Sequence, residues 1–439
     1  MVERESVMDR RTFVRSSAGA IAWGLPAAGA NDKVNVAVIG LGARGREVLA
    51  VFAAQRGCRV AALCDIDQSR LDQGAQLARR FSGGRPKTYQ DIRKLLDDKE
   101  VDAVVVVTCD HWHSLATIWA CQAGKDVYVE KPVSHNIWEG RRMVEAARKY
   151  HRVVQAGMQG RSIAHKRRAI ELLRQGAIGK VYLAKGLCFK RRLSIGKKPD
   201  GPVPPGVDYD LWLGPAPWRK FNPNRFHYNW HWFWDTGNGD IGNQGPHQMD
   251  LARWGLGKTG LPHRVFSSGA KFLYDDDQET PNTQLAIFDY EDSQLVFEVR
   301  GLLTGGESSI TFEGGNFIGN LYFGSEGVMA LDAHGFRIYL GEKRELAREM
   351  KLIEPEPDDP APHVANFLSV VRSRKTQDLA ADVDQGRISA AMCHMANISY
   401  RVGRSVVFDP VTESFGGDPG ANAFLSRDYR KPYVVPVNV

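Results

Sequence analysis

The sequence predicts an α/β protein of two domains: a doubly wound parallel sheet, then an α/β domain on a large, mainly antiparallel open sheet. Three observations predict it. Between residues 34 and 157, short Val- and Ile-rich runs alternate with helical patterns. A glycine-rich turn joins the first run to the first helix. Beyond about residue 159 the β runs lengthen and alternate apolar with polar residues. A chain of 439 residues is also long enough for two hydrophobic cores.

The elements follow in order. "VNVAVIG" reads as a buried first strand, with a helix over about 44–55 after it. "RVAALCD" is the second strand, and a polar helix over about 69–80 follows. "DAVVVVTC", "DVYVEKP" and "RVVQAG" supply the third, fourth and fifth strands, with helical segments between them. A helix over about 163–175 leads into the second domain. Its strands are "KVYLAKGLCF", "RVFSSGAKFLY", "TQLAIFDY", "SQLVFEVRG", "SSITFEG", "GNLYFGS" and "GVMALD". An aromatic- and Pro-rich insertion at about 191–235 interrupts them, and a helix over about 385–401 is the last element. The domains accordingly span 31–158 and 159–439. A sheet open on one side offers a face to a ligand or a second subunit, so a homodimer or homotetramer is expected.

Composition narrows the class. Hydrophobic residues make up 43% and charged residues 25%, as in soluble globular proteins. No run of 18 apolar residues is present, so no membrane-spanning helix is expected. Six scattered cysteines without CxxC spacing read as reduced core thiols. The net charge of +7 is uneven, with twelve Lys/Arg against the single Glu171 between Arg161 and Lys198. That run reads as a solvated face or as an anion-attracting rim. No nucleic-acid motif accompanies it, so no nucleic-acid partner is expected. At the N-terminus, "DRRTFVR" precedes a short apolar stretch ending in Ala28-Gly29-Ala30. This resembles a twin-arginine export signal, so residues 1–30 are set apart and a periplasmic or otherwise extracytoplasmic location is expected.

Two motifs carry chemistry. In "VIGLGARG", Gly40-Leu41-Gly42-Ala43-Arg44-Gly45 forms GxGxxG between a strand and a helix. Such glycines permit a tight turn, close backbone approach to a pyrophosphate, and tight helix packing, while the helix N-terminus offers N–H donors. Asp65 stands 20 positions after the last glycine, at the end of the second strand. A carboxylate there accepts from an adenosine ribose and repels a 2′-phosphate, which favours NAD, although Arg44 and Arg46 nearby leave NADP open. "VEKPVS" puts Glu130 and Lys131 at the C-terminal end of a parallel strand, where open α/β sheets bind ligands. Thr108, His111 and His113 follow the third strand on the expected nicotinamide side, and Gln159 and Arg161 sit at the domain junction. The two histidines lack a third ligand nearby, so no metal is expected. "FHYNWHWFWD", with Trp232, is either a sugar-stacking platform or a buried apolar plug.

The GxGxxG turn, the Glu-Lys-Pro tripeptide and the glycine cluster leading to His247 together resemble the glucose-fructose oxidoreductase / inositol dehydrogenase / rhizopine catabolism (Gfo/Idh/MocA) family. The late stretch "NFLSVVRSRK…CHMANISYRVGR" resembles its branch with twin-arginine signals. The resemblance covers the chain after residue 30. It implies a Rossmann domain with an α/β partner, NAD or NADP, and chemistry on secondary alcohols of sugars, cyclitols or glycosides. The family's glycine motif continues with an Asp and, four residues later, a His. Here Gly237-Asn238-Gly239 matches the glycines loosely, His247 matches the His, and Asn243 stands in the Asp position. The resemblance makes Lys131, His247 and Asn243 the catalytic candidates and Arg161, His247 and Trp232 the substrate candidates. Lys131 suits stabilisation of a developing alkoxide, and His247 suits a general base. His247 follows Pro246, a residue that favours the first position of a helix, where the helix dipole favours a neutral imidazole. Three activities stay open: a dehydrogenase, a glycosidase using transient oxidation and elimination, and a non-catalytic sugar or dinucleotide sensor.

Overall fold

The structure is a computed structural model that describes residues 3–4, 33–82, 84–304, 317–352 and 359–439. Arg10, Arg11 and the apolar stretch after them lie outside the described residues, as does the expected strand "SSITFEG".

The first domain is a six-stranded, all-parallel sheet. Its strands are β1 (Val34–Ile39), β2 (Cys58–Cys64), β3 (Lys87–Tyr89), β4 (Ala103–Val106), β5 (Asp126–Val129) and β6 (Val154–Ala156). They lie in the order β3-β2-β1-β4-β5-β6. This is the doubly wound order, and its reversal between β1 and β4 opens a crevice at the strand C-termini. Helices α1 (Ala43–Ala54), α2 (Gln68–Ser82), α3 (Ile92–Leu96), α4 (Asp110–Gln122) and α5 (Ile137–Lys149) connect the strands. Alternate residues of β1 feed opposite cores, Val36 and Val38 on one face, Ala37 and Ile39 on the other. The three-residue edge strand β3 is too short to show a period of its own, and the sequence reading omits it.

After β6, helix α6 (Ala164–Arg174) enters the second domain. Its strands are β7 (Val181–Phe189), β8 (Arg264–Ala270), β9 (Thr283–Tyr290), β10 (Ser293–Arg300), β11 (Phe317–Gly324), β12 (Gly327–Asp332), β13 (Gly335–Leu340), β14 (Glu345–Lys351) and β15 (Val406–Val407). They form a mixed sheet in the order β14-β13-β12-β11-β7-β10-β9-β8-β15, with Glu3–Arg4 laid along the β14 edge. All pairs among the nine are antiparallel except β7 with β10. The insertion contains one short helix, α7 (Tyr209–Leu213). Helices α8 (Gly239–Gly255) and α10 (Val383–Val402) bury one face of the sheet through Met249, Ala252, Ile388 and Met392 against Ala184, Phe288 and Phe297. The other face carries Phe266, Leu285, Ile287 and Val296, of which Phe266 is 43% exposed.

The chain then returns to the first domain. Val364, Phe367 and Leu368 of α9 (Ala361–Ser373) join the core around Val36 and Val38. Tyr433, Val435 and Val439 join the opposite core, around Ala37 and Ile39.

One buried ion cluster fixes α8 against the end of the first domain. Asp250, 1% exposed, accepts from Arg161 Nε (2.6 Å) and Nη2 (2.8 Å), from Arg253 Nη2 (3.0 Å) and from Ser389 Oγ (3.0 Å). Gln385 Oε1 accepts from both guanidinium groups. Burial opposes the ionised form of Asp250, but Arg161 and Arg253 outweigh it and hold the carboxyl below its ordinary range. Asp250→Ala should leave two arginines without their counter-charge, Arg253 itself only 1% exposed, and cost about 3–5 kcal/mol of stability. Denaturant titration measures it, and a loss below about 1 kcal/mol would remove the cluster from its structural role.

Candidate active site

The glycine turn and the ends of β1, β2, β4 and β5 line a cleft of about 660 Å³ that runs from Asp65 to His247. Two glycines of the turn are sterically required. A Cβ on Gly40, whose φ is +90°, would lie 2.4 Å from Val107 O, and one on Gly45 would lie 2.0 Å from Gly40 O. Helix α1 begins after Gly42 with no side-chain cap, so its first N–H groups are free to meet an anion at the cleft. Leu41 contributes its backbone only, its side chain being fully buried. Its N–H donates to Asp65 Oδ2 (2.6 Å), and that of Asp67 donates to Oδ1 (3.0 Å). Burial raises the Asp65 pKa, with these two N–H donors opposing it. The cation near Asp65 is Arg70, which the sequence reading missed. Arg44 faces elsewhere, donating to Glu130 Oε1 through Nε (3.0 Å) and Nη2 (2.9 Å), and Arg46 donates to Leu41 O (2.8 Å).

The residues therefore fit a dinucleotide. Gly42, Ala43, Thr108, His113, Glu130, Lys131 and Gln159 also line the cleft. Gln159 Oε1 is buried there without a hydrogen-bond partner among the described residues.

Deeper in, the two domains meet around Lys131. Its Nζ donates to Asn243 O (2.7 Å) and Asn243 Oδ1 (3.2 Å). Burial lowers the Lys131 pKa, with Glu130 and Asp110 opposing. Burial also pushes Glu130 up, but Arg44, Lys131 and His247 hold it below the ordinary range. On α8 the cleft-lining positions are 243, 244 and 247, one face of a helix. The amide four residues before the histidine is thus its neighbour one turn earlier. Asn243 engages Lys131, not a position set aside for the imidazole.

The expectation that His247 opens a helix is corrected. The helix starts at Gly239, so Pro246 is internal and His247 lies in the third turn, beyond reach of the N-terminal dipole. The run "GNGDIGNQG" reads as a loop because glycine has poor helix propensity, and tertiary packing overrides it here. Asp240, in the first turn, accepts bidentately from Arg192 (2.9 and 2.6 Å).

Four other candidates are sorted by their surroundings. His111 lies outside the cleft: its ring nitrogens face Thr236 O (3.3 Å) and Trp212 O (2.9 Å), and burial lowers its pKa to about 3. His113 does line the cleft, and its ring is braced there: Nδ1 lies 2.6 Å from Pro132 O and Nε2 lies 3.1 Å from Thr108 O. Positions two apart on a helix point in different directions, and the sequence alone does not choose between them. Arg161 belongs to the Asp250 cluster and not to the cleft. Trp232 is buried beneath Arg192, whereas His227, Tyr228, Trp230 and His231 of the same aromatic segment line the cleft. The segment is platform and plug at once. Sequence reasoning also missed Asp110, Lys190 and Trp212 as cleft residues. Asp110 had a signal: it follows the end of β4 at the switch point of the sheet.

The insertion straps this cleft. Gln68 N–H donates to Gly206 O (3.1 Å) and Asp208 N–H to Ile66 O (2.9 Å), while His227 Nε2 lies 3.0 Å from Asp67 Oδ2.

Comparison with known proteins gives this geometry a family. Residues 34–158 match the Gfo/Idh/MocA oxidoreductase family's NAD-binding Rossmann fold, and residues 179–294 and 325–435 match its C-terminal alpha/beta domain. An inositol 2-dehydrogenase of Saccharopolyspora erythraea is 28% identical over 67% of this chain and 77% of its own length. A glycosyl hydrolase family 109 protein of Akkermansia muciniphila is 28% identical over 34% of this chain, and the match spans only 32% of that relative. The WlbA dehydrogenase of Bordetella pertussis, solved with NADH and UDP-GlcNAcA, shares the fold with a TM-score of 0.63 and 19% identity, covering 88% of this chain and 99% of its own. With a Rossmann domain built for NAD and the partner domain that goes with it, the chain belongs to the Gfo/Idh/MocA family of oxidoreductases.

Proposed function

We propose that the protein is an exported, NAD-dependent oxidoreductase acting on a secondary hydroxyl of a sugar, cyclitol or glycoside. The observation that carries this reading is the convergence of Lys131, from the end of β5, with Asn243 and His247, from α8, at the inner end of the cofactor cleft. Glycines 40, 42 and 45, the α1 N-terminus, Asp65 and Gln159 would hold the dinucleotide. NAD, when bound, supplies the hydride acceptor. Lys131 has two N–H bonds committed to Asn243 and one left to meet an alcohol oxygen, where its charge stabilises the developing alkoxide. His247, one turn beyond Asn243, is placed to exchange the hydroxyl proton. Trp230 and Tyr228 offer flat faces to a sugar ring. The uncovered face of the second sheet, with Phe266 and Leu285, supports self-association into a dimer or tetramer.

A second reading, a glycosidase that oxidises its substrate transiently, is favoured by the strap. Residues 206–208 and His227 tie the insertion to the β2–α2 loop beside the cofactor end of the cleft. A cofactor held under such a strap exchanges slowly, which suits a cycle that regenerates it in place. A panel of polyols and glycosides, assayed with and without added NAD, separates the two. NADH accumulating in proportion to oxidised product supports the dehydrogenase. Aglycone released without net NADH supports the glycosidase, and neither outcome on any substrate would refute both.

Each functional part has its own test. Lys131→Ala should lower turnover by roughly 100- to 10,000-fold while titration calorimetry shows NAD binding little changed. Loss of binding instead would make Lys131 a cofactor ligand first. Asp65→Ala should weaken NAD binding by about 10- to 100-fold, the scale of a hydrogen bond to a charged group, and narrow the preference over NADP. Unchanged affinity for both would remove Asp65 from the ribose site. For export, Arg10→Lys with Arg11→Lys should leave folded protein in the cytoplasm by fractionation; normal secretion of the double variant would sink the signal.

A further inference from the structure

A second cavity, of about 560 Å³, lies at the junction of the domains and shares no lining residue with the cofactor cleft. Its walls come from α5, the turn after β6, α6, the last turn of α8 and the start of α10. Five cations line it, Arg148, Arg161, Arg174, Arg253 and Lys258, and among the described residues Asp382 is the one acid beside them. Arg161 and Arg174 belong to the basic run that the sequence shows between Arg161 and Lys198.

These cations are incompletely neutralised. Arg148 pairs with Asp382 (2.5 Å), Lys258 pairs with Asp292, and Arg161 and Arg253 share Asp250. Arg174 has no acidic partner among the described residues, so five positive charges meet three negative ones. Arg161 and Arg174 moreover both lie over the ring of Trp254, 5.1 and 5.7 Å from its centroid. Donors are left over as well. Arg161 commits Nε and Nη2 to Asp250 and Gln385, which leaves Nη1 uncommitted among the described residues. Arg253, 1% exposed, has a buried Nε with no acceptor among them. Burial lowers the Arg253 pKa and the like charge of Arg161 adds to the effect, with Asp250 opposing.

We propose that this cavity is a binding site for a phosphate or sulfate group, free or carried on a small molecule. Guanidinium forks match the paired oxygens of a tetrahedral oxyanion, whereas a chloride ion meets only their charge. A dianion supplies the two missing negative charges. The hydroxyls of Thr259 and Thr376, also on the wall, add neutral donors. The volume falls within the range of small-molecule sites, roughly 300–1,000 Å³, so a sugar or polyol attached to the anion has room. Bound there, the anion offsets the repulsion between the two arginines that hold Asp250. It therefore strengthens the contact that places α8.

The test uses the full chain labelled with fluorotryptophan and saturated with NAD, which fills the phosphate-binding turn of the other cleft. Among the resonances of the ten tryptophans, the one that vanishes in Trp254→Phe reports on the cavity. In fluorine NMR it should move saturably with inorganic phosphate and with sulfate, and stay still with sodium chloride at equal ionic strength. Arg174→Gln should raise the phosphate midpoint by about tenfold, the scale of a hydrogen bond to a charged group. Lys198→Gln, which removes an exposed cation outside the cavity, should leave the midpoint unchanged. Phosphate should also raise the unfolding midpoint of the native chain, and less so in Arg174→Gln. A hexose phosphate then tells the sources apart: tighter binding than inorganic phosphate means a carried group, and equal binding means the free ion. A Trp254 resonance that ignores both oxyanions, or that follows ionic strength alone, would overturn the proposal. So would equal effects of Arg174→Gln and Lys198→Gln, which would reduce the cavity to diffuse surface charge.

Discussion

Everything in the cleft depends on the position of α8, and that position is set by a carboxylate buried between two arginines. Asp250 lies near the C-terminal end of the helix whose middle turns carry Asn243 and His247. Arg161 comes from the turn just after β6, and Ser389 and Gln385 come from α10. The cluster therefore pins three chain segments at one point. An apolar contact there would tolerate sliding, whereas bidentate hydrogen bonds fix both distance and rotation. The register of α8 against β5 follows, and with it the approach of Asn243 to Lys131.

The electrostatics of the cleft are arranged from one end to the other. At the cofactor end, Asp65 is held by backbone N–H groups and accompanied by Arg70. In the middle, Glu130 binds Arg44 and neutralises it. At the inner end, Lys131 is desolvated between Asn243, Glu130 and Asp110. Each buried charge has a partner or hydrogen bonds, as burial demands. The glycine turn makes space where the side chains supply charge.

The sequence was most legible where function is local. GxGxxG, Asp65 and the Glu-Lys-Pro strand end are short-range patterns whose geometry follows from a strand, a turn and a helix start. The parallel and antiparallel halves were legible for the same reason, since strand periodicity is local. What the sequence hid depends on distant segments. Whether His111 or His113 faces the cleft depends on the pitch of α4 against the insertion. Arg161 looks free until Asp250, 89 residues later, meets it. Trp232 and Trp230 are chemically alike, and only distant packing distinguishes Trp232, buried beneath Arg192, from Trp230 in the cleft. Helix α8 was hidden by its own glycines, a case of packing overriding propensity. Strands β13 and β14 and helix α9 also went unassigned, the last because its apolar face completes a core begun more than 300 residues earlier.

That late completion bears on how the protein is made. The ribosome delivers all six strands of the first domain before any of the second, yet Phe367 and Leu368 on one face and Tyr433 and Val435 on the other emerge only after the strands of both sheets up to β14. Until then the nascent sheet has apolar ground uncovered on both sides. The nucleotide-binding half thus cannot complete its two cores until much of the second domain has been made, although its own strands precede that domain in the chain.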